Sequence, residues 1–233
     1  MTARIVRPTN EDEVKNAVSE AVEVLLAGGL VVYPTDTSYG LTCDPRNRDA
    51  FERLFDVKQR SRSIGLPLLF ADVKQCEMYH DFRGLEFAIT RLFWPGVLTL
   101  IVSVKEGTPE YLTGNRGSLA IRVPNHDIPR GIARQLDTPI AGTSANISGG
   151  PSPFDVSIAF EQLGDSVELY IDGGASDLNN NSTIVGVDEE SDGFSSVKVY
   201  REGALSIEKL TESLQFDSDA LRFWTNRIVY ADM

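Results

Sequence analysis

Between Leu30 and Leu41 the chain reads Leu-Val-Val-Tyr-Pro-Thr-Asp-Thr-Ser-Tyr-Gly-Leu. Its first four residues are apolar, two of them β-branched, and this predicts a buried strand. Pro34 carries no backbone donor, so a hydrogen-bonded ladder has to stop there. Thr35, Asp36, Thr37 and Ser38 then bring hydroxyls and a carboxylate together, and Gly40 offers a turn before Leu41. A dense polar turn directly after a core strand is where open α/β sheets hold ligands. The same residue types also build ordinary capped loops, so this stretch alone fits either use.

With 233 residues, the chain can form one large domain or one domain with an extension. Asp and Glu number 34 against 22 Lys and Arg, a net charge of −12. Such a surface repels phosphate backbones and anionic lipid, which argues against a broad nucleic-acid grip but leaves room for a local basic pocket. No apolar run reaches the roughly 18 residues of a membrane span. The N-terminus, with Arg4, Arg7, Glu11 and Asp12, has no signal-peptide core. Cys43 and Cys76 are far apart, and with His80 and His126 they make no metal-ligand spacing. The expectation is a reducing, cytoplasmic setting, no disulfide framework and no metal held by protein side chains.

Apolar residues at three- and four-residue spacing predict helices over 9–27, 49–59, 73–79, 83–93, 127–136, 155–163 and 206–214. Short apolar runs predict strands over 30–33, 66–71, 97–104, 119–123, 140–142, 168–172, 182–187 and 197–201. No helical pattern separates the strands at 97–104 and 119–123, so they are expected to pair antiparallel in a mixed sheet. A second polar turn, Thr143 to Pro153, follows the strand at 140–142. Ser61 to Gly65 is polar and is expected to be a mobile loop. The tail from Asp217 carries Phe223, Trp224, Ile228, Val229 and Tyr230, too apolar to stay free. The expected division is a catalytic domain over 1–214 and a docked extension over 215–233.

Standard motifs are missing. There is no phosphate-binding Gly-x4-Gly-Lys-Ser/Thr and no Gly-x-Ser-x-Gly elbow, and Gly28-Gly29 follows a helix, the reverse of a dinucleotide fingerprint. What remains is cations and hydroxyls. Lys58, Arg60, Arg122 and Arg201 fall at or near the ends of predicted elements, and Thr35, Thr143, Ser144, Asn146, Ser152 and Ser182 lie in polar turns. Backbone N–H groups, hydroxyls and a few cations are what holds a phosphate chain and a small zwitterion. Taken singly, each cation is as well explained by solvation or by a helix dipole.

Six segments resemble the YrdC-like family: Tyr-Pro-Thr-Asp-Thr-Ser-Tyr-Gly-Leu at 33–41, Lys-Gln-Arg at 58–60, Phe-Trp-Pro-Gly-Val-Leu-Thr at 93–99, Ala-Ile-Arg-Val-Pro-Asn-His at 120–126, Ser-Ala-Asn-Ile-Ser-Gly at 144–149 and Ser-Thr-Ile-Val at 182–185. The resemblance implies a twisted mixed β-sheet with flanking helices and a concave, positively lined ligand cavity. It also implies a threonylcarbamoyl-AMP synthase of the short form, making threonylcarbamoyl-adenylate and pyrophosphate from L-threonine, bicarbonate and ATP with Mg2+. A separate transferase complex would pass the product to tRNA, so contact with tRNA itself would be indirect or weak. By the same resemblance Thr35, Arg122, Thr143 and Ser182 would contact threonine, with Thr143 standing where the family usually has proline. Lys58, Arg60, Ser118, Ser144, Asn146, Ser152 and Arg201 would contact ATP, with Lys58 and Arg60 as catalytic cations that matter for turnover more than for stability. Three stretches depart from the family pattern: a longer loop after Arg60, Asn179-Asn180-Asn181 before Ser182, and Glu202 in place of proline. The rival readings are a paralogue with the fold but without the reaction, and an RNA-binding module.

Overall fold

The computed structural model describes residues 2–62, 65–190 and 193–231. In chain order the elements are β1 (Arg4–Val6), α1 (Glu11–Leu26), β2 (Val31–Tyr33), β3 (Gly40–Thr42), α2 (Arg48–Lys58), β4 (Leu68–Leu69), α3 (Val73–Cys76) and α4 (Gly84–Phe93). Then follow β5 (Leu98–Ser103), α5 (Glu110–Thr113), β6 (Ser118–Arg122), α6 (Asp127–Gln135), β7 (Ile140–Ala141), β8 (Thr143–Ser144) and α7 (Val156–Leu163). The last are β9 (Leu169–Ile171), β10 (Thr183–Glu189), β11 (Ser195–Arg201), α8 (Ile207–Phe216) and β12 (Trp224–Tyr230).

Helix starts follow local chemistry. The Asn10 side chain accepts from Glu13 N at 3.0 Å and caps α1, and Glu13 reaches back to accept from Thr9 N at 2.7 Å. Ala17, Val18, Ala21, Val22 and Leu25 form its buried face. Gly28, at φ 82°, turns the chain out of the helix as its N–H bonds Leu25 O at 2.9 Å. In α2 the αL residue Gln59 folds the chain back so that Arg60 N reaches Phe55 O at 3.0 Å.

The strands form two mixed sheets rather than the one expected. The first runs β1-β9-β2-β3-β8 and the second β12-β11-β10-β5-β6-β4-β7. β5 and β6 pair antiparallel, as the sequence implies. The split has a local cause at Gly142, where the predicted strand 140–142 breaks. A Cβ there would lie 2.4 Å from Leu69 Cγ, so only glycine lets the backbone pass so close to β4. Residues before it pair with β4 in the second sheet, and residues after it pair with β3 in the first. Gly40 also differs from expectation. It opens β3 instead of making a turn, and a Cβ there would sit 2.5 Å from the ring of Tyr33.

A large apolar cluster joins α2, α4, α7 and α8 to both sheets, and a second one packs α1 and α6 against Val31, Leu169 and Ile171. β12 pairs parallel with β11 at the sheet edge, with Trp224 buried. Of the expected mobile loop, residues 63 and 64 lie outside the described residues. No helix among the described residues is long and apolar enough to cross a membrane.

Candidate functional site

A cleft of about 200 Å³ opens where the sheets diverge, lined by the β2–β3 turn, Arg60, Arg122, Thr99, the Gly142–Ser144 break, Asn181–Ser182 and Arg201. Arg60 arrives from just past the C-terminus of α2, and the other side chains come from strands near their ends or from the turns beside them.

Arg122 ends β6 and is 5% exposed. Its Nε donates to Gly96 O at 2.8 Å, Nη1 to Thr37 Oγ1 at 2.9 Å and Nη2 to Asp36 Oδ1 at 2.5 Å. The other carboxylate oxygen of Asp36 accepts from Asn125 N at 3.0 Å. Asp36, which the sequence reading did not single out, therefore ties the β2–β3 turn to the end of β6 and fixes the guanidinium. Burial lowers the Arg122 pKa and Asp36 opposes that, so the group stays a cation.

The turn is locked internally. Thr35 Oγ1 donates to Ser38 O at 2.7 Å and accepts from Thr37 N at 2.9 Å. Its proton is thus committed, so the 3.1 Å contact with Thr37 Oγ1 has Thr37 as donor, both Thr35 lone pairs are taken within the turn, and what it offers a ligand is its methyl group. Ser182 has the opposite polarity. Its Oγ accepts from Thr99 Oγ1 at 2.9 Å and from Arg201 Nη2 at 3.2 Å, which leaves its own proton to donate. Arg201 also donates to Ser182 O from Nε at 3.1 Å and Nη2 at 2.9 Å. Among the described residues Arg60 makes only long bonds, to Thr143 Oγ1 at 3.4 Å and Gly65 O at 3.2 Å.

Among the described residues no carboxylate pairs with Arg60 or Arg201. Burial lowers both pKa values, and a neighbouring cation, Arg116 for Arg60 and Arg122 for Arg201, adds to the effect. Cations crowded together without counter-ions, in a protein of net charge −12, make a site that favours an anion.

Of the residues proposed from sequence, Thr35, Arg60, Arg122, Thr143, Ser144, Ser182 and Arg201 line this cleft. Lys58, Ser118, Asn146 and Ser152 do not. Lys58 is 2% exposed, beneath the 144–148 loop. Its ammonium donates to Ser144 O, to Asn146 O at 2.7 Å and to Asn146 Oδ1 at 3.4 Å, and its own carbonyl accepts from Ser148 N at 2.8 Å. Burial, and then the charge of Arg60, pull its pKa down to about 7. The carbonyl oxygens around it favour the charged form and oppose that pull.

Asn146 is the centre of the same loop. It accepts from Ser144 Oγ at 2.5 Å and donates to Gly150 O at 2.8 Å. Ser152 accepts from Asn181 Nδ2 at 2.9 Å, which links it to the cleft through one of the departing asparagines. Ser118 pairs with Ser103 and shares a face of β6 with Arg122, about 13 Å along the strand. Glu202 is turned away: its carboxylate accepts from Ile207 N at 3.0 Å at the start of α8. Tyr33, Thr37, Ser38, Thr99 and Asn181 also line the cleft. Thr37 and Ser38 lie in the polar turn after β2, Tyr33 and Thr99 lie in the family-like segments 33–41 and 93–99, and Asn181 directly precedes Ser182, but the sequence assigned none of them a ligand.

The family model of the Sua5, YciO and YrdC proteins, described as "Telomere recombination", matches residues 23–203. The chain belongs to the Sua5/YciO/YrdC family. An Idiomarina loihiensis relative of that family, named threonylcarbamoyl-AMP synthase, is 34% identical over 170 residues, covering 71% of this chain and 91% of its own. The crystal structure of P. abyssi Sua5 complexed with L-threonine superposes with a TM-score of 0.81 at 28% identity over 98% of this chain. This chain spans 62% of the length of that Sua5. E. coli YciO, at 24% identity and a TM-score of 0.78, covers 90% of this chain and 99% of its own, and shows the shared fold.

Proposed function

We propose that the chain is a threonylcarbamoyl-AMP synthase, converting L-threonine, bicarbonate and ATP into L-threonylcarbamoyladenylate and pyrophosphate. The observation that carries this reading is the convergence of Arg60, Arg122 and Arg201 on one cleft, two of them without a carboxylate among the described residues. The donated proton of Ser182 and the guanidinium of Arg122 suit the carboxylate of an amino acid. Arg60 and Arg201 suit phosphate oxygens. The names of the relatives support the same assignment.

In the reaction, the threonine amine condenses with bicarbonate to a carbamate and water. A carbamate oxygen then attacks the α-phosphorus of ATP, and pyrophosphate leaves. No covalent enzyme intermediate is needed, so the chain's task is positioning and charge neutralisation. Lys58 contributes by holding the Ser144–Asn146 loop against the cleft. Mg2+ enters as a substrate component on the phosphate oxygens. Asp36, the carboxylate of the β2–β3 turn, is already taken by Arg122 and Asn125. Residues 1–214 are the catalytic domain and 215–233 an extension, of which β12 edges the sheet. The product goes to a separate transferase complex in the cytoplasm, and tRNA contact is indirect.

The test is release of pyrophosphate from ATP with bicarbonate, with and without threonine. Release that ignores threonine would sink the proposal. Valine should turn over far more slowly than threonine, because a site built to hydrogen-bond a hydroxyl rejects an analogue lacking it. Serine should be discriminated less, since only a methyl distinguishes it.

A further inference from the structure

The cleft, at about 200 Å³, is smaller than the roughly 300–1,000 Å³ of sites that enclose a whole drug-sized ligand. It has room for an amino acid and part of a phosphate chain, so the nucleoside has to lie outside it. The strands that end at the cleft continue as an open shelf. Side chains alternate along a strand, so Thr99, Ile101 and Ser103 share one face of β5, and Ser118, Ala120 and Arg122 share one face of β6. In register, Ile184 pairs with Thr99, and the next row joins Gly186, Ile101 and Ala120. That row is flat because two of its three members are glycine and alanine. It lies about 7 Å beyond the cleft row.

Tyr200 stands over this row. The β10–β11 ladder carries a bulge here, with Ile184 opposite Arg201 and Val185 opposite Val199, so Tyr200 is the inserted residue. A Cβ on Gly186 would lie 3.2 Å from Tyr200 Cε2 and 3.8 Å from its hydroxyl, so the distal half of the ring covers the glycine. Tyr200 is 45% exposed and is the immediate neighbour of the cleft cation Arg201. Lys198 Nζ lies 5.7 Å from its centroid. A side chain at residue 186 would push the ring off the sheet.

We propose that Tyr200 is the stacking platform for the nucleobase of the nucleotide substrate, with Gly186 as the floor that sets its height. This rests on the nucleotide reading above, and it assigns the purine a place that the arginines cannot supply. Stacking has no preference among bases, so specificity for adenine would come from elsewhere on the shelf.

The experiment compares binding of ATP and of inorganic tripolyphosphate by calorimetry in the wild type, Tyr200→Ala and Tyr200→Phe, with melting temperature as a control. The expected result is roughly 5- to 150-fold weaker ATP binding in Tyr200→Ala, the range that aromatic–base stacking commands. Tripolyphosphate affinity should be unchanged and Tyr200→Phe near wild type. Equal ATP affinity in Tyr200→Ala would overturn the proposal. So would an equal loss of tripolyphosphate, because the residue would then act by positioning Arg201. A wild type that binds ATP with this Tyr200 dependence but never releases pyrophosphate would overturn the synthase reading and leave the platform standing. A wild type that binds no nucleotide would overturn both.

Discussion

Lys58 and Arg60 lie two residues apart, and the sequence treats them as one motif. The structure separates their roles, and this can be measured. Replacing Lys58 by Met keeps much of its volume and removes the ammonium. Two carbonyl oxygens, of Ser144 and Asn146, then lose a charged donor in a region sealed from water. A hydrogen bond to a charged group contributes about 1.5–3 kcal/mol, and an orphaned buried acceptor costs about 1–3 kcal/mol. Burying the ammonium was itself unfavourable, which offsets part of this. A net loss of about 3 kcal/mol is a reasonable centre, equivalent to roughly 6–12 °C in Tm for a chain of this size. Among the described residues Arg60→Ala removes two long bonds from a half-buried side chain, so its Tm should stay within about 2 °C of wild type. Its rate should fall roughly 10²–10³-fold if the guanidinium stabilises charge on the phosphates. Lys58→Met should lose rate as well, through a displaced 144–148 loop. The assay pairs thermal unfolding with threonine-dependent pyrophosphate release on each variant. Lys58→Met melting like the wild type would refute the buried-clamp argument. Full activity in Arg60→Ala would refute the anion site.

His80 places Nδ1 2.7 Å from Ser103 O and Nε2 2.7 Å from Glu86 Oε2, so both ring nitrogens face acceptors. Burial lowers its pKa, but the Glu86 bond and charge, the bond to Ser103 O and the charge of Asp81 together outweigh that and raise it above 6.5. A raised folded pKa gives stability that is fully present below 6.5 and is lost as pH rises through the folded value. The Tm gap between wild type and His80→Gln should therefore narrow from pH 5.5 to 8.5, and a constant gap would contradict the assignment. Gly40→Ala should destabilise by about 1–3 kcal/mol through overpacking on Tyr33 and should weaken threonine binding, since the β2–β3 turn moves with it; calorimetry reads both. Trp224→Ala should cost about 3–5 kcal/mol and expose the β11 edge to rapid amide exchange. Unchanged exchange at Val197 and Val199 would show that β12 does not support β11.

What the sequence determines by itself is local. The α1 caps, its apolar stripe and the glycine exit are set by residues within a few positions of one another. The polar turn at 35–38 is likewise legible, since Pro34 ends the ladder and hydroxyls follow. The antiparallel β5–β6 pair follows from the absence of a long crossover between them. Boundaries beyond that were lost where a strand is two or three residues long, as in β1, β4, β7 and β8, because such strands carry no periodicity.

Tertiary structure decided the rest. The division into two sheets depends on the approach of Gly142 to Leu69, a contact between residues far apart in the chain. Gly40 reads as a turn residue, and only the ring of Tyr33 reveals that it is needed for close packing. Glu202, an acid beside a cleft arginine in sequence, faces the start of α8 in space. Lys58 shows the limit most clearly: a lysine at a helix end has the composition of a surface cation, and its burial is created by the 144–148 loop that folds over it. The anion site has the same origin. Arg60, Arg122 and Arg201 belong to three distant segments, and the repulsion between Arg122 and Arg201 is accepted because core packing elsewhere holds the strand ends in place.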